Sequence, residues 1–221
     1  VRLVMAGARG VGAVIIAVDG PTASGKGTIA KALAAHFGLP HLDTGLLYRA
    51  VGRQVFLTGG NPDDADAAHA ACAFPETLLG DPELRSEDTG GYASRVSVHP
   101  AVRAALLERQ QAFANQPGGA VLDGRDIATV IAPHADAKLF VTASVPARAM
   151  RRWAEMKQLG KDVERAEIEA DLAERDERDR NRAEAPLRQA EGAALLDTSN
   201  LTKEMAVATA IALVEKQVAR G

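Results

Sequence analysis

Short uninterrupted apolar runs alternate along this chain with stretches in which apolar residues recur every three or four positions. Val14–Val18 is wholly apolar and mostly β-branched, as a strand buried on both faces requires. HLDTG (His41–Gly45), AVLDGRD (Ala120–Asp126), KLFVTAS (Lys138–Ser144) and ALLDTS (Ala194–Ser199) read as four more strands. Between them lie helical patterns. Lys26–Phe37 carries Ile29, Leu33 and Phe37 on one face and is stopped by Gly38 and Pro40. Leu46–Thr58 ends at Gly59-Gly60-Asn61-Pro62, and Pro100–Phe113 turns Val102, Leu106, Leu107 and Phe113 inward. A highly charged helical tract runs from Pro146 to Arg182 with a break near Leu159-Gly160, and Thr202–Ala219 closes the chain. Residues 63–100, rich in alanine and turns, read as an inserted subdomain of short helices and small strands. Strand–helix alternation predicts an α/β fold, a mostly parallel five-stranded sheet with helices on both faces.

Composition narrows the class. With 221 residues, 47% apolar, the chain suits one α/β domain with an insert. A formal charge of −3 and eight aromatic residues give no general attraction to nucleic acid or acidic membrane. The single cysteine, Cys72, fits a reducing cytoplasm, and no apolar run is long enough for a membrane helix. Residues 1–12 read as a loose extension.

The break after the first strand carries the chemistry. Gly20-Pro21-Thr22-Ala23-Ser24-Gly25-Lys26 fits G-x-x-x-x-G-K, directly after a strand and directly before a helix. Glycines let successive N–H groups face one anion, the helix start adds partial positive charge, and Lys26 reaches the outer phosphates of a nucleoside triphosphate. The residue after the lysine, usually Ser or Thr for Mg2+, is Gly27 here, and Thr28 follows. Either Thr28 holds the ion or the nucleotide and water supply most of its ligands.

Three further clusters sit at strand ends or on the charged helix. Thr44, Tyr48 and Arg49 follow the second strand, where an arginine beside a tyrosine suits a second phosphate and a base. Asp123 ends the third strand in the manner of a second acidic P-loop motif, and Arg125 and Asp126 project beyond it; a structural ion pair is the other reading of these two. Arg175, Arg178 and Arg182 recur at i, i+3 and i+7, and the spacing pairs Arg175 with Asp179 and Asp176 with Arg180. Such a face is either solvated or a lid that meets transferring phosphate. The five histidines show no metal-ligand spacing.

With IAVDGPTASGKGTIA, LDTGLLYRA, DGRDIATVIAP and RDERDRNRAEAPL in this order, the chain from Val14 onward resembles the bacterial cytidylate kinases, a family of nucleoside monophosphate kinases. The resemblance implies a P-loop nucleoside triphosphate hydrolase-like core that transfers the γ-phosphate of ATP to CMP or dCMP with Mg2+, working as a monomer. It implies a core of residues 13–44, 113–154 and 186–221, a monophosphate-binding insert of 45–112 and a lid of 155–185, with closure of both. Gly20 to Thr28 would hold ATP. Thr44, Tyr48 and Arg49 match monophosphate-site positions, Ser94 and Arg103 match contacts to the nucleotide, and Arg125 and Asp126 match the pair at the cytosine and sugar. Asp123 stands beside that pair. Lys26, Arg125, Arg175, Arg178 and Arg182 are the residues expected to act on the phosphates. Ala128 stands where relatives commonly carry glycine. A P-loop kinase acting on shikimate or dephospho-coenzyme A is a second reading, opposed by the LDTG-x-x-YR and DGRD motifs. A GTPase switch lacks its N-K-x-D motif here.

Overall fold

The computed structural model describes residues 13–220, so the expected extension 1–12 lies outside the described residues. The strand β1 (Val14–Asp19) leads through the glycine-rich loop into α1 (Lys26–Phe37), and β2 (His41–Asp43) leads directly into α2 (Thr44–Leu57). The insert continues through α3 (Ala65–Ala70), three short 3-10 turns, α4 (Glu87–Val96) and α5 (Pro100–Ala114). Then come β3 (Gly119–Gly124), a π-helical turn (Ile127–Ile131), β4 (Ala137–Thr142), α6 (Val145–Gln158) and α7 (Arg165–Asn181). The last elements are β5 (Ala194–Asp197) and α8 (Lys203–Val218).

Among the described residues the five strands form one sheet in the order β2-β3-β1-β4-β5, with every pair parallel. β1 is central and buried along its whole length, which explains its unbroken apolar pattern. Successive side chains point to opposite faces. Val14, Ile16 and Val18 meet Ile29 and Leu33 of α1 and Ala210 and Val214 of α8, whereas Ile15 and Ala17 pack with Leu122, Ile127 and Ile131. The insert has its own apolar core, in which Leu47, Val51 and Val55 of α2 pack with Leu84, Val96, Val102 and Leu106.

The elements depart from the hydropathy pattern at several places. β2 stops at Asp43, whose extended backbone makes it the N-cap of α2, so Thr44 and Gly45 are helical. β3 stops at Gly124, which frees Arg125 and Asp126 to leave the sheet plane in different directions. Among the described residues 63–100 hold helices and 3-10 turns but no strand, and their buried apolar side chains, Ala68, Ala71, Phe74, Leu78, Leu84, Ala93 and Val96, join the core of α2 and α5. Leu107 and Phe113 of α5 are only half-buried, while Arg103 and Gln110 of the same helix are buried. β3 starts at Gly119 because a side chain is excluded there: a Cβ would lie 2.0 Å from the Val14 carbonyl oxygen.

Candidate active site

The carboxyl ends of β1 and β3 open a crevice, the place where parallel α/β sheets bind ligands. The loop from Gly20 to Gly25 caps it. Gly20 sits too close to β4 for any side chain, since a Cβ would meet the Val141 carbonyl oxygen at 2.0 Å. Gly25, in the left-handed region at φ 89°, is the N-cap of α1 and offers no side-chain acceptor, so the first amides of the helix keep their donors for a ligand. Ala23 also has positive φ, 60°, a strain that loops at ligand sites retain.

Buried polar side chains hold the loop from below. Arg148 of α6, 1% exposed, donates to the Ala143 carbonyl at 2.9 Å, to the Thr22 carbonyl at 3.0 Å, and to both carboxylate oxygens of Asp176 at 3.0 and 2.5 Å. The loop, α6 and α7 are thereby fastened together. Thr198 donates to the Ser24 carbonyl at 3.0 Å. Asp19, the last residue of β1, accepts from the amides of Ile127 and Ala128, both at 2.8 Å. Burial pushes its carboxyl up to about 7, against the lowering effect of those two bonds.

Two cavities flank the loop. The smaller, about 230 Å3, is lined by six cationic side chains, Lys26, Arg49, Arg103, Arg125, Arg175 and Arg182, and by four carboxylates, Asp43, Asp123, Asp126 and Asp179. Burial and the neighbouring Arg125 bring the Lys26 ammonium down to about 8. Burial and then Arg175 bring the Arg49 guanidinium down to about 10. Burial likewise lowers Arg175 and Arg182. Cations this depressed, with Arg103 Nη1 and Arg175 Nε buried without a hydrogen bond and Arg182 Nη2 facing Asp126 only at ion-pair distance, suit an anion rich in acceptors.

The sequence-predicted residues fall at distinct ends of this cavity. Near the loop, Arg125 donates to Thr22 Oγ1 at 2.5 Å and to Asp179 at 2.7 Å, and Lys26 Nζ lies 3.4 Å from the Pro21 carbonyl. At the far end, Asp126 pairs with Arg103 and lies 3.5 Å from Arg182. The Arg103 guanidinium lies 5.8 Å from the centre of the Tyr48 ring. Adjacent in sequence, Arg125 and Asp126 thus face opposite ends. Thr44 donates to the Asp123 carbonyl at 2.8 Å, joining α2 to β3. Arg49 donates to the carbonyls of Leu84 and Ser86 at 2.8 and 3.0 Å while lining both cavities.

The charged helix is not one uniform face. Arg175 is buried, donates to the Gly90 carbonyl at 3.2 Å, and stands 3.7 Å from Asp171 rather than pairing with Asp179. Arg178 reaches Ser94 Oγ at 2.7 Å across to α4. Arg182 is the C-cap of α7, with extended backbone, so it leaves the helical register and bends back to Asp126. The spacing does hold for Asp176 and Arg180, at 3.3 Å. Asp19, Asp43 and Arg148 carry no reading from the sequence, and Asp179 enters it only as the spacing partner of Arg175. Asp19, Asp43 and Asp179 stand beside or within motif residues, whereas Arg148 has no such neighbour and is made interior by Asp176 and Thr22.

The larger cavity, about 430 Å3, has apolar Ile29, Leu201 and Val207, a basic rim of Arg151, Arg152 and Lys203, and three carboxylates, Glu87, Glu155 and Asp171, in its lining. Thr22, Ala23, Ser24, Gly25 and Thr28 form the wall it shares with the loop, while Gly20 and Pro21 do not line it. Thr28 lines this cavity alone, whereas Gly27 and Asp123 line the smaller one. Among the described residues no group of three His, Cys, Asp or Glu side chains could hold a metal ion unaided. The donor set therefore fits a cation that arrives with most of its ligands on phosphate and water. Among the described residues no helix is long and apolar enough to cross a membrane.

A family model described as Cytidylate kinase matches residues 16–216. The chain is 56% identical over 201 residues to the cytidylate kinase of Xanthobacter autotrophicus, covering 91% of this chain and 97% of that one. It is 54% identical to that of Rhodopseudomonas palustris, covering 91% and 96%, and 54% identical to that of Caulobacter vibrioides, covering 93% and 97%.

Proposed function

This chain belongs to the cytidylate kinase family, and from that premise we propose how its two cavities divide the reaction. The activity is that of an ATP-dependent nucleoside monophosphate kinase: the γ-phosphate of ATP passes to CMP or dCMP, giving CDP or dCDP and ADP. The larger cavity takes the adenosine of ATP between its apolar side chains and basic rim, with the triphosphate laid along Gly20–Thr28. The smaller takes the acceptor, its phosphate toward Arg49 and Arg125 and its base toward Ser94, Arg103, Asp126 and Arg182, with Tyr48 alongside. Thr44 lines the acceptor cavity and fastens α2 to β3 beneath it.

The observation that carries this division is the loop itself, which separates a partly apolar cavity from a pocket crowded with under-compensated cations. An acceptor phosphate oxygen is already anionic at neutral pH, so it attacks the γ-phosphorus without a general base while the bond to the β,γ-bridging oxygen breaks and ADP leaves. What the protein supplies is placement and charge. Lys26, Arg125 and Arg175 would face the transferring group, whereas Arg178, bonded to Ser94, lines neither cavity and Arg182, beside Asp126, stands at the base end. A Mg2+ ion bound with ATP would neutralise part of the charge. Thr28 and Asp123 are the side chains proposed to face that ion.

The core of residues 13–44, 113–154 and 186–221 is proposed to hold still while the insert 45–112 and the lid 155–185 close. The Arg148–Asp176 pair pins the later half of α7, so the arm before it, about the α6–α7 break, does the swinging. Nucleotides are the only partners invoked. The working unit is taken to be a monomer in a reducing cytoplasm, a setting consistent with the lone Cys72.

Initial rates with Mg-ATP and CMP, dCMP, UMP, AMP, GMP or shikimate, with product identification, test this reading. Diphosphates formed selectively from CMP and dCMP support it. Preferential phosphorylation of any other acceptor contradicts it.

A further inference from the structure

At the start of the edge strand β2, His41 lies in register with Val121 and brings Nε2 to 2.7 Å from Asp123 Oδ1. A carboxylate only accepts, so the imidazole donates through Nε2. The pair is well shielded, with side-chain exposures of 15% and 3%. The other carboxylate oxygen, Oδ2, points to the glycine-rich loop. A Cβ built on Gly27 would lie 3.7 Å from it and would meet no other neighbour within 4 Å.

Gly27 occupies the position where the general loop pattern carries a hydroxyl for the metal ion. A serine hydroxyl there would stand within hydrogen-bonding reach of Asp123 Oδ2; with glycine, the carboxylate is the one side chain among the described residues that comes within 4 Å of this position. The backbone of Asp123 is already fixed, by its place in β3 and by Thr44 bonding its carbonyl. What remains free is the rotation of its carboxylate, and a hydrogen bond to one oxygen decides where the other aims.

We propose that His41 is a positioning residue whose N–H bond to Asp123 Oδ1 holds Oδ2 toward the gap at Gly27, where the carboxylate replaces the hydroxyl missing from the loop. This rests on the reading of Asp123 as facing the metal ion of the bound nucleotide. Partners of this kind set the orientation of a metal-facing group, and losing one typically weakens metal binding tenfold or more.

The test is Mn2+ binding to the protein with ADP present, followed by the electron paramagnetic resonance signal of free Mn2+, which reads binding without turnover. His41→Leu removes the donor, and His41→Gln keeps an amide N–H at similar reach. The expected result is about tenfold weaker Mn2+ binding for His41→Leu, at least as large a loss for Asp123→Asn, and recovery to within about threefold in His41→Gln. Unchanged binding in Asp123→Asn would overturn the reading of Asp123 together with the proposal. Loss in Asp123→Asn without loss in His41→Leu, or a His41→Gln variant as weak as His41→Leu, would overturn the role of His41 alone.

Discussion

Replacing Asp176 by alanine leaves Arg148 as a buried, uncompensated guanidinium. Both partners are 1% exposed and joined by two parallel bonds at 3.0 and 2.5 Å, a geometry in which removal of one partner costs about 3–5 kcal/mol. Against a typical total of about 5–15 kcal/mol that is a large fraction. For a domain of this size it lowers the melting temperature by about 6–20 °C. The surface pair of Asp176 with Arg180 adds little, because Arg180 is 60% exposed at its side chain. The double variant Arg148→Met/Asp176→Leu removes both charges and recovers most of the loss, since apolar replacement of a buried pair is often neutral. It does not recover nucleotide binding. Arg148 also donates to the Thr22 carbonyl, and loss of that charge-assisted bond, about 1.5 kcal/mol, raises the KM for ATP about tenfold. Urea denaturation of the three variants and ATP saturation curves of the double variant check this. An Asp176→Ala protein within about 1 kcal/mol of the parent, or a double variant as unstable as the single one, would refute the reasoning.

Other consequences follow from the titrating groups and the loop. Lys26 titrates near 8 in the free protein, and bound triphosphate raises it, so ATP binding takes up about 0.7 of a proton at pH 8.5 and weakens as pH rises beyond 8. Calorimetry in buffers of different ionisation enthalpy measures this, and zero uptake would contradict it. Asp19 keeps its proton in the fold up to about pH 7, where the unfolded chain has lost it, so stability falls between about pH 4 and 7 by on the order of 4 kcal/mol. Asp19→Asn has no proton to lose and flattens that part of the urea-denaturation profile; an unchanged slope would count against it. Gly20→Ala forces a Cβ to within 2.0 Å of the Val141 carbonyl oxygen, so β4 must move, and a loss above about 3 kcal/mol is expected. A variant of parental stability would show that the loop yields there without cost.

Local patterns carried much of the architecture. The run of β1 is apolar because both faces of the sheet are covered there, β4 alternates because only Ala137, Leu139 and Val141 enter the core, and G-x-x-x-x-G-K is legible because phosphate binding needs its residues contiguous. The end of β2 was less legible: Asp43 is a favoured N-cap type, but it lies inside the LDTG run and its side chain makes no capping bond to α2. Charged burial was the hardest to read. Arg148, Asp176 and Asp179 belong to tracts that look like solvated helix surface, and only partners 28 to 126 residues away make them interior. Asp19 depends on amides 108 and 109 residues on. Arg125 and Asp126 were visible as a motif, but the end of β3 at Gly124 is what sends one to the loop and the other to Arg103.

The division of labour between the two cavities is most directly tested by the Michaelis constants of Asp126→Asn for CMP and for ATP, ratios that do not depend on how much of the preparation is folded. Asp126 sits between Arg103 and Arg182 at the far end of the smaller cavity and does not line the larger one. Loss of its charge is predicted to raise the KM for CMP by at least about tenfold and to leave that for ATP within about twofold. An equal rise for both nucleotides, or an unchanged value for CMP, would contradict the account.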